Sequence, residues 1–198
     1  MPESDPYTVV TLTPHPDAGP GPVKALGVEA RWSDAAGLLS LVYRLAADPA
    51  ALRLPGVAQP RRADGLWHHT CFEAFVRTGG GPGYLEFNFS PSGEWAAYRF
   101  DARREGMRPL AMAREPVPRT AGEPDGLRMA VDLQLPVPPD ATLQLGLAAV
   151  IVAADGMPCY WALRHGPGAP DFHDPESFTL RLGRDATDGR ASSSASTA

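Results

Sequence analysis

The sequence predicts an all-β, antiparallel fold, a sandwich or a barrel with little helix, and three observations predict it. Its 22 prolines and 20 glycines exceed ordinary usage, yet they interrupt apolar runs instead of building a repeat, so they mark turns. Short apolar segments follow one another between clusters of Gly, Pro, Asp and Ser, the spacing of a many-stranded sheet protein. Several of these segments alternate polar and apolar residues with period two, as a strand with one face in a core requires.

Taken in order, the expected strands cover residues 8–13, 26–32, 38–45, 70–76, 85–90, 95–101, 127–135, 143–153 and 159–165. Residues 46–54 make one or two helical turns, because Asp48 is a good N-cap before Pro49 at the first helical position and Pro55 stops the run. In 84–90, Leu85, Phe87 and Phe89 alternate with Tyr84, Glu86, Asn88 and Ser90, so the first set belongs in a core and the second faces outward. Pro91 and Gly93 then turn the chain into a return strand on which Trp95, Ala97 and Arg99 alternate with Ala96, Tyr98 and Phe100, placing Arg99 close to Glu86 and Asn88. On 127–135, Met129, Val131, Leu133 and Leu135 point inward while Asp132 faces away. The run 145–152 is apolar on both faces and reads as a central strand.

Segments 14–22, 55–65, 103–126 and 167–175 are expected loops, the last carrying a histidine, aspartates and an aromatic residue. At 198 residues the chain suits one domain, here 1–183, and residues 184–198 carry no large apolar side chain and are expected to be a disordered tail.

A net charge of -5 with both signs scattered along the chain supplies no phosphate-neutralising stripe, which argues against nucleic acid as a partner. No apolar run reaches the length of a membrane span, and the first residues show neither a basic nor an apolar leader region, so the expected location is the cytoplasm with no membrane partner. Cys71 and Cys159 lie in separate expected strands without a C-x-x-C partner and read as two buried free thiols.

Binding of a small polar ring needs a flat aromatic surface together with fixed carboxylate, amide or guanidinium groups. Trp67, Trp161, Glu73, Glu86, Asn88 and Arg99 supply both kinds, and Arg164 is a further guanidinium within reach. Parity puts Trp67, His69, Cys71, Glu73 and Phe75 on one side of a strand, either the core or the outer side. The competing explanation for the tryptophans is core packing, for Glu73 a salt bridge to Arg99 or Arg164, and for Glu86, Asn88 and Arg99 a solvated outer face. Asp171, His173 and Asp174 are the metal-ligating candidates, with calcium the cation an oxygen-rich loop would take, although the D-x-D-x-D-G pattern is missing. Glu73 and Glu86 would be the carboxylate pair of a glycosidase, but no hydrolase, P-loop or dinucleotide motif accompanies them.

With Thr70-Cys-Phe-Glu-Ala-Phe75, Glu86-Phe-Asn-Phe-Ser-Pro-Ser-Gly-Glu-Trp-Ala-Ala-Tyr98 and Tyr160-Trp-Ala-Leu-Arg-His165 followed by Pro170-Asp-Phe-His173, the chain resembles the bacterial DOMON-like proteins, which are similar to family 9 carbohydrate-binding modules. The likeness covers roughly residues 8–182 and implies a β-sandwich of jelly-roll type whose relatives hold a sugar or a haem. Where related sugar-binding modules carry an aspartate before the glutamate, Thr70 or Cys71 stands here. The expected function is therefore non-catalytic binding of a small ligand, a carbohydrate or sugar derivative, with no cofactor. The alternatives are b-type haem, for which Met107 or Met112 with His165 or His173 would be the axial ligands, and a protein-interaction module meeting a partner or a second copy.

Overall fold

A computed structural model describes residues 7–138 and 140–183, so the expected tail at 184–198 lies outside the described residues. The described strands are, in chain order, β1 (Thr8–Thr11), β2 (Thr13–Pro14), β3 (Val23–Ser33), β4 (Leu38–Ala47), β5 (Cys71–Thr78), β6 (Tyr84–Phe89), β7 (Trp95–Phe100), β8 (Arg108–Pro109), β9 (Arg119–Glu123), β10 (Gly126–Gln134), β11 (Leu143–Val152), β12 (Pro158–Ala162) and β13 (Leu180–Leu182). They form two antiparallel sheets. The first has the order β1-β3-β4-β10-β9 and the second β2-β12-β11-β5-β6-β7-β8, with β13 pairing the start of β11. Among the described residues helix is confined to three short 3-10 turns, and none is long and apolar enough to cross a membrane.

The sheets face each other across one apolar layer, as alternation along the strands requires. Val28, Ala30 and Trp32 of β3, Leu39, Leu41 and Tyr43 of β4, and Met129, Val131 and Leu133 of β10 meet Phe72, Ala74 and Val76 of β5, Leu85, Phe87 and Phe89 of β6, and Leu145, Leu147 and Ala149 of β11. The Tyr43 hydroxyl crosses this layer and donates to the Glu73 backbone carbonyl at 2.8 Å, satisfying a polar tip that the core would otherwise strand. Asp132 faces out of the layer and accepts from Ser40 Oγ at 2.7 Å. β11 lies between β5 and β12, in keeping with its apolar character on both faces.

The other face of the second sheet carries a smaller apolar cluster. Cys71, Phe75, Tyr84, Ala96, Tyr98, Phe100, Ala148 and Ala162 project from the strands, and Leu66 and Phe178 cover them from flanking segments. Gly146 makes this cover possible, since a β-carbon there would stand 2.6 Å from Phe178 Cδ1. Asp48 caps the 3-10 turn Pro49–Ala51 by accepting from the Ala50 N–H at 2.9 Å, at the position where the Asp-Pro pair predicts a helix start, but the turn is a single one.

The differences from the expected elements are small pieces of sheet. β8 and β9 run through what reads as a loop at 103–126, and β13 and the 3-10 turn Leu66–His68 carry too few residues to display a period. β9 is exposed along its length and pairs only through its backbone with β10, so no apolar alternation marks it.

Candidate functional site

A cleft of about 410 Å³ opens on the outer face of the second sheet, beside the apolar cluster. Its floor is built by β5 and β6. Phe72, Ala74 and Val76 are committed to the inter-sheet core, so the intervening Glu73 is forced to the outer face, where burial leaves it 4% exposed. Glu86 and Asn88 reach the same face by the same parity on β6, and Glu73 pairs directly with Asn88 across the ladder. All three are buried.

Asn88 Nδ2 donates to Glu86 Oε1 at 2.6 Å. The Glu73 carboxyl receives no comparable donor: its Oε1 is buried without a hydrogen-bond partner among the described residues. Burial, and then the neighbouring Glu86, push the Glu73 carboxyl well above the ordinary glutamate range. Burial likewise raises Glu86, to about 7, against the opposing pull of the Asn88 hydrogen bond and the Arg104 charge. The floor therefore holds carboxyls that are short of donors.

One wall is a hydrogen-bonded chain. The Arg104 backbone N–H donates to Tyr84 Oη at 3.1 Å, and Tyr84 Oη shares a hydrogen bond of 2.7 Å with His173 Nδ1. The other ring nitrogen, Nε2, lies 3.7 Å from Glu86 Oε2. Burial first, and Arg104 second, depress His173 to about 4, so at neutral pH this contact joins a neutral imidazole to a carboxyl and is not an ion pair. Rings clamp the imidazole, with Phe75 at 5.2 Å and Phe100 at 5.1 Å edge-on.

Arg104 stands at the rim with φ +58°, the one left-handed non-glycine backbone among the described residues. Its side chain is tied down by Asp171, which accepts from Arg104 Nη2 at 2.8 Å and also from Arg103. Although burial opposes its charge, Asp171 is held below the ordinary carboxylate range by these two guanidiniums. The remaining walls are aromatic: Trp67, edge-to-face with Tyr98 at 6.1 Å, and Tyr160 with Phe172 at 6.2 Å. Trp67 reaches the cleft because the 3-10 turn Leu66–His68, entered through Gly65 at φ +72°, buries Leu66 and leaves the indole partly open.

The structure brings together Glu73, Glu86, Asn88 and Trp67 and separates the other expected ligand residues from them. Arg99 is correctly placed on the β6–β7 hairpin but lies across from Leu85, on the same side of β7 as Trp95 and Ala97; parity turns it away from Glu86 and Asn88, and it ends exposed in a different recess. Trp161 pairs with Ala149 and is buried in the inter-sheet core, where its indole N–H finds no acceptor among the described residues. Arg164 makes a surface ion pair with Glu176 at 2.9 Å, so neither arginine is a partner of Glu73.

Of the metal-ligating candidates, Asp171 serves Arg103, Arg104 and the His173 N–H, His173 belongs to the tyrosine chain, and Asp174 caps the 3-10 turn Pro175–Ser177. Among the described residues no group of three His, Cys, Asp or Glu side chains converges to hold a metal ion. Arg104, Tyr160 and Phe172 are the contributors that the sequence reading leaves out. Arg104 comes from the loop after β7, Tyr160 from β12 and Phe172 from segment 167–175, whose aromatic and acidic content is a signal for Phe172 alone.

No family model matches the sequence, and no curated protein matches it. Solved structures do. A candidate carbohydrate-binding protein from Bacteroides uniformis ATCC 8492 superposes with a TM-score of 0.62 at 18% identity, covering 87% of this chain and 84% of that one. A family 9 carbohydrate-binding module from Caldicellulosiruptor kristjanssonii, in complex with glucose, gives 0.51 at 12% identity over 83% of each chain. The cellotriose complex of a family 9 module from that organism gives 0.50 at 10% identity over 83% of this chain and 75% of that one. The protein thus shares the β-sandwich fold of carbohydrate-binding modules of family 9.

Proposed function

We propose that the cleft over β5 and β6 binds a carbohydrate or sugar derivative without catalysing a reaction. One observation carries this reading: a buried carboxyl, Glu73, points into an aromatic-walled cleft with no donor among the described residues, so a ligand that donates there completes its hydrogen bonds. A pyranose supplies what is missing, since its hydroxyls donate to Glu73 and its apolar C–H face packs on Trp67, Tyr160 or Phe172. Glu86, held in place by Asn88, is a second polar contact, and Arg104 covers the rim. The fold neighbours are described as carbohydrate-binding proteins, two of them with bound glucose or cellotriose, which supports the same choice. The buried free thiols Cys71 and Cys159 favour a reducing compartment, the cytoplasm.

Haem fits these residues less well. Met107 and His173 both border the cleft, but His173 has Nδ1 engaged by Tyr84 and Nε2 turned toward Glu86. His165 has its Nε2 against the Thr13 carbonyl at 2.9 Å, and Met112 packs against the inter-sheet core. Each imidazole thus has one nitrogen committed to a protein partner.

Calorimetric titration of the purified protein with a panel of mono- and disaccharides tests the reading, alongside Glu73→Gln and an absorption spectrum with haemin. Saturable sugar binding that the variant weakens roughly tenfold is expected. Silence across the panel, or a haemin Soret band shifting with redox state, rejects it.

A further inference from the structure

We infer that the ligand carries a primary ammonium group, as a 2-amino sugar does, and that this group lies between Glu73 and Glu86. The inference rests on the sugar-binding reading and adds the chemical class of the sugar. Two carboxyls line the cleft, Glu73 and Glu86, and at its rim stands the Arg104 guanidinium, which shares the Asp171 carboxylate with Arg103. Both guanidiniums are spent on Asp171. His173 and the Tyr84 phenol, which form one wall, add no cation at neutral pH: His173 is depressed to about 4, and a phenol carries none. With both floor glutamates ionised, one negative charge is left over, and one ligand cation cancels it.

In the free protein the floor resolves the same imbalance by keeping a proton. A carboxyl without a donor, buried beside a second carboxyl, retains its hydrogen. An ammonium replaces that proton with three N–H donors, offers bonds to Glu73 and to the Glu86 oxygen that Asn88 leaves free, and displaces the proton to solvent. The aromatic walls suit the same charge, because ring faces attract cations once water is excluded. A uronic acid or a sugar phosphate would set an anion against two carboxyls, and an N-acetyl group would replace the cation with a neutral amide.

The test is calorimetric titration at about neutral pH, where Glu86 is half ionised, with glucose, galactose and mannose, their 2-amino counterparts, the N-acetyl derivatives and the uronic acids. At least one amino sugar is expected to bind roughly tenfold tighter than its neutral parent and its N-acetyl derivative, with proton release read from the dependence of the heat on buffer. Glu73→Gln is expected to erase that preference while the neutral sugar still binds. Neutral or N-acetylated sugars binding as tightly as the amino sugars would overturn the inference and leave sugar binding intact. Silence with every sugar would overturn both.

Discussion

Asn88 stands directly across the β5–β6 ladder from Glu73, yet it gives its amide to Glu86, two residues away on its own strand, at 2.6 Å. One amide therefore serves one of two buried carboxyls and leaves the other without a donor. The pairing geometry puts three polar side chains on a floor where alternate positions are apolar, and the proton inventory of that floor follows from it.

Stability should fall as pH rises through neutrality. Glu86, raised to about 7, and Glu73, raised well above its ordinary value, hold protons in the folded chain that the unfolded chain releases near about 4.3. Their contribution is complete below that value and is lost as pH climbs through each folded value. His173 has the opposite sign: depressed to about 4, it contributes stability above roughly 6.5 that is lost as pH falls toward 4. His173 offsets one of the two carboxyls between about 4.5 and 6.5, and above that only the carboxyls act, at up to about 1.4 kcal/mol per pH unit for each. Urea unfolding from about pH 6.5 upward should show the decline, and Glu73→Gln should make it shallower. Equal slopes in the two proteins would show that Glu73 is not protonated in the fold.

Tyr84→Phe should cost about 1–3 kcal/mol although only one oxygen is removed. The lost hydroxyl accepts from the Arg104 N–H and is hydrogen-bonded to His173 Nδ1, so two groups lose a partner at once. The stacked contact with Phe100 at 4.9 Å survives in the variant, which separates the hydrogen bonds from ring packing. Thermal unfolding measures the loss, and imidazole nitrogen shifts should report the loss of the hydrogen bond at His173 Nδ1.

Arg104→Gly should change charge states more than stability. Glycine relieves a left-handed backbone worth about 1 kcal/mol, and an exposed Asp171 ion pair of about 0–1 kcal/mol is lost in exchange. Arg104 pulls Glu86 and His173 downward, so without it Glu86 should titrate above 7 and His173 above 4. NMR pH titration of the two side chains checks both directions, and titrations that coincide with the wild type would place the Arg104 charge outside the site.

The layered all-β fold is legible in the sequence because its strands alternate cleanly, and 85–89 is the clearest case: Leu85, Phe87 and Phe89 fill the core and Glu86 and Asn88 oppose them. The polar floor is legible for the same reason. Parity, however, names a face without saying what covers it. Glu86 and Asn88 read as half-solvated, whereas Leu66, Phe172 and Phe178 roof that face and bury them, and these residues come from segments with no period to read. Arg99 shows the opposite limit: a hairpin brings it near Glu86 in the chain pairing, and a single step of parity sends its side chain to the other side of the sheet.

That parity makes a paired prediction. Arg99→Ala should leave sugar affinity within about twofold of the wild type, because the guanidinium is exposed in a recess beside Asp101 and Arg108 and shares no lining residue with the Glu73 floor except Phe100 at the sheet's edge. Trp67→Ala should weaken binding by about 1–2 kcal/mol, since it removes a cleft wall. The half-open indole packs on Tyr98 and not in the inter-sheet core, so its loss should move the unfolding midpoint far less than truncation of a core tryptophan such as Trp95. Calorimetry with the tightest sugar of the panel, run on both variants, decides the face. A loss of affinity in Arg99→Ala with no loss in Trp67→Ala would move the ligand to the Arg99 side of the sheet and away from Glu73.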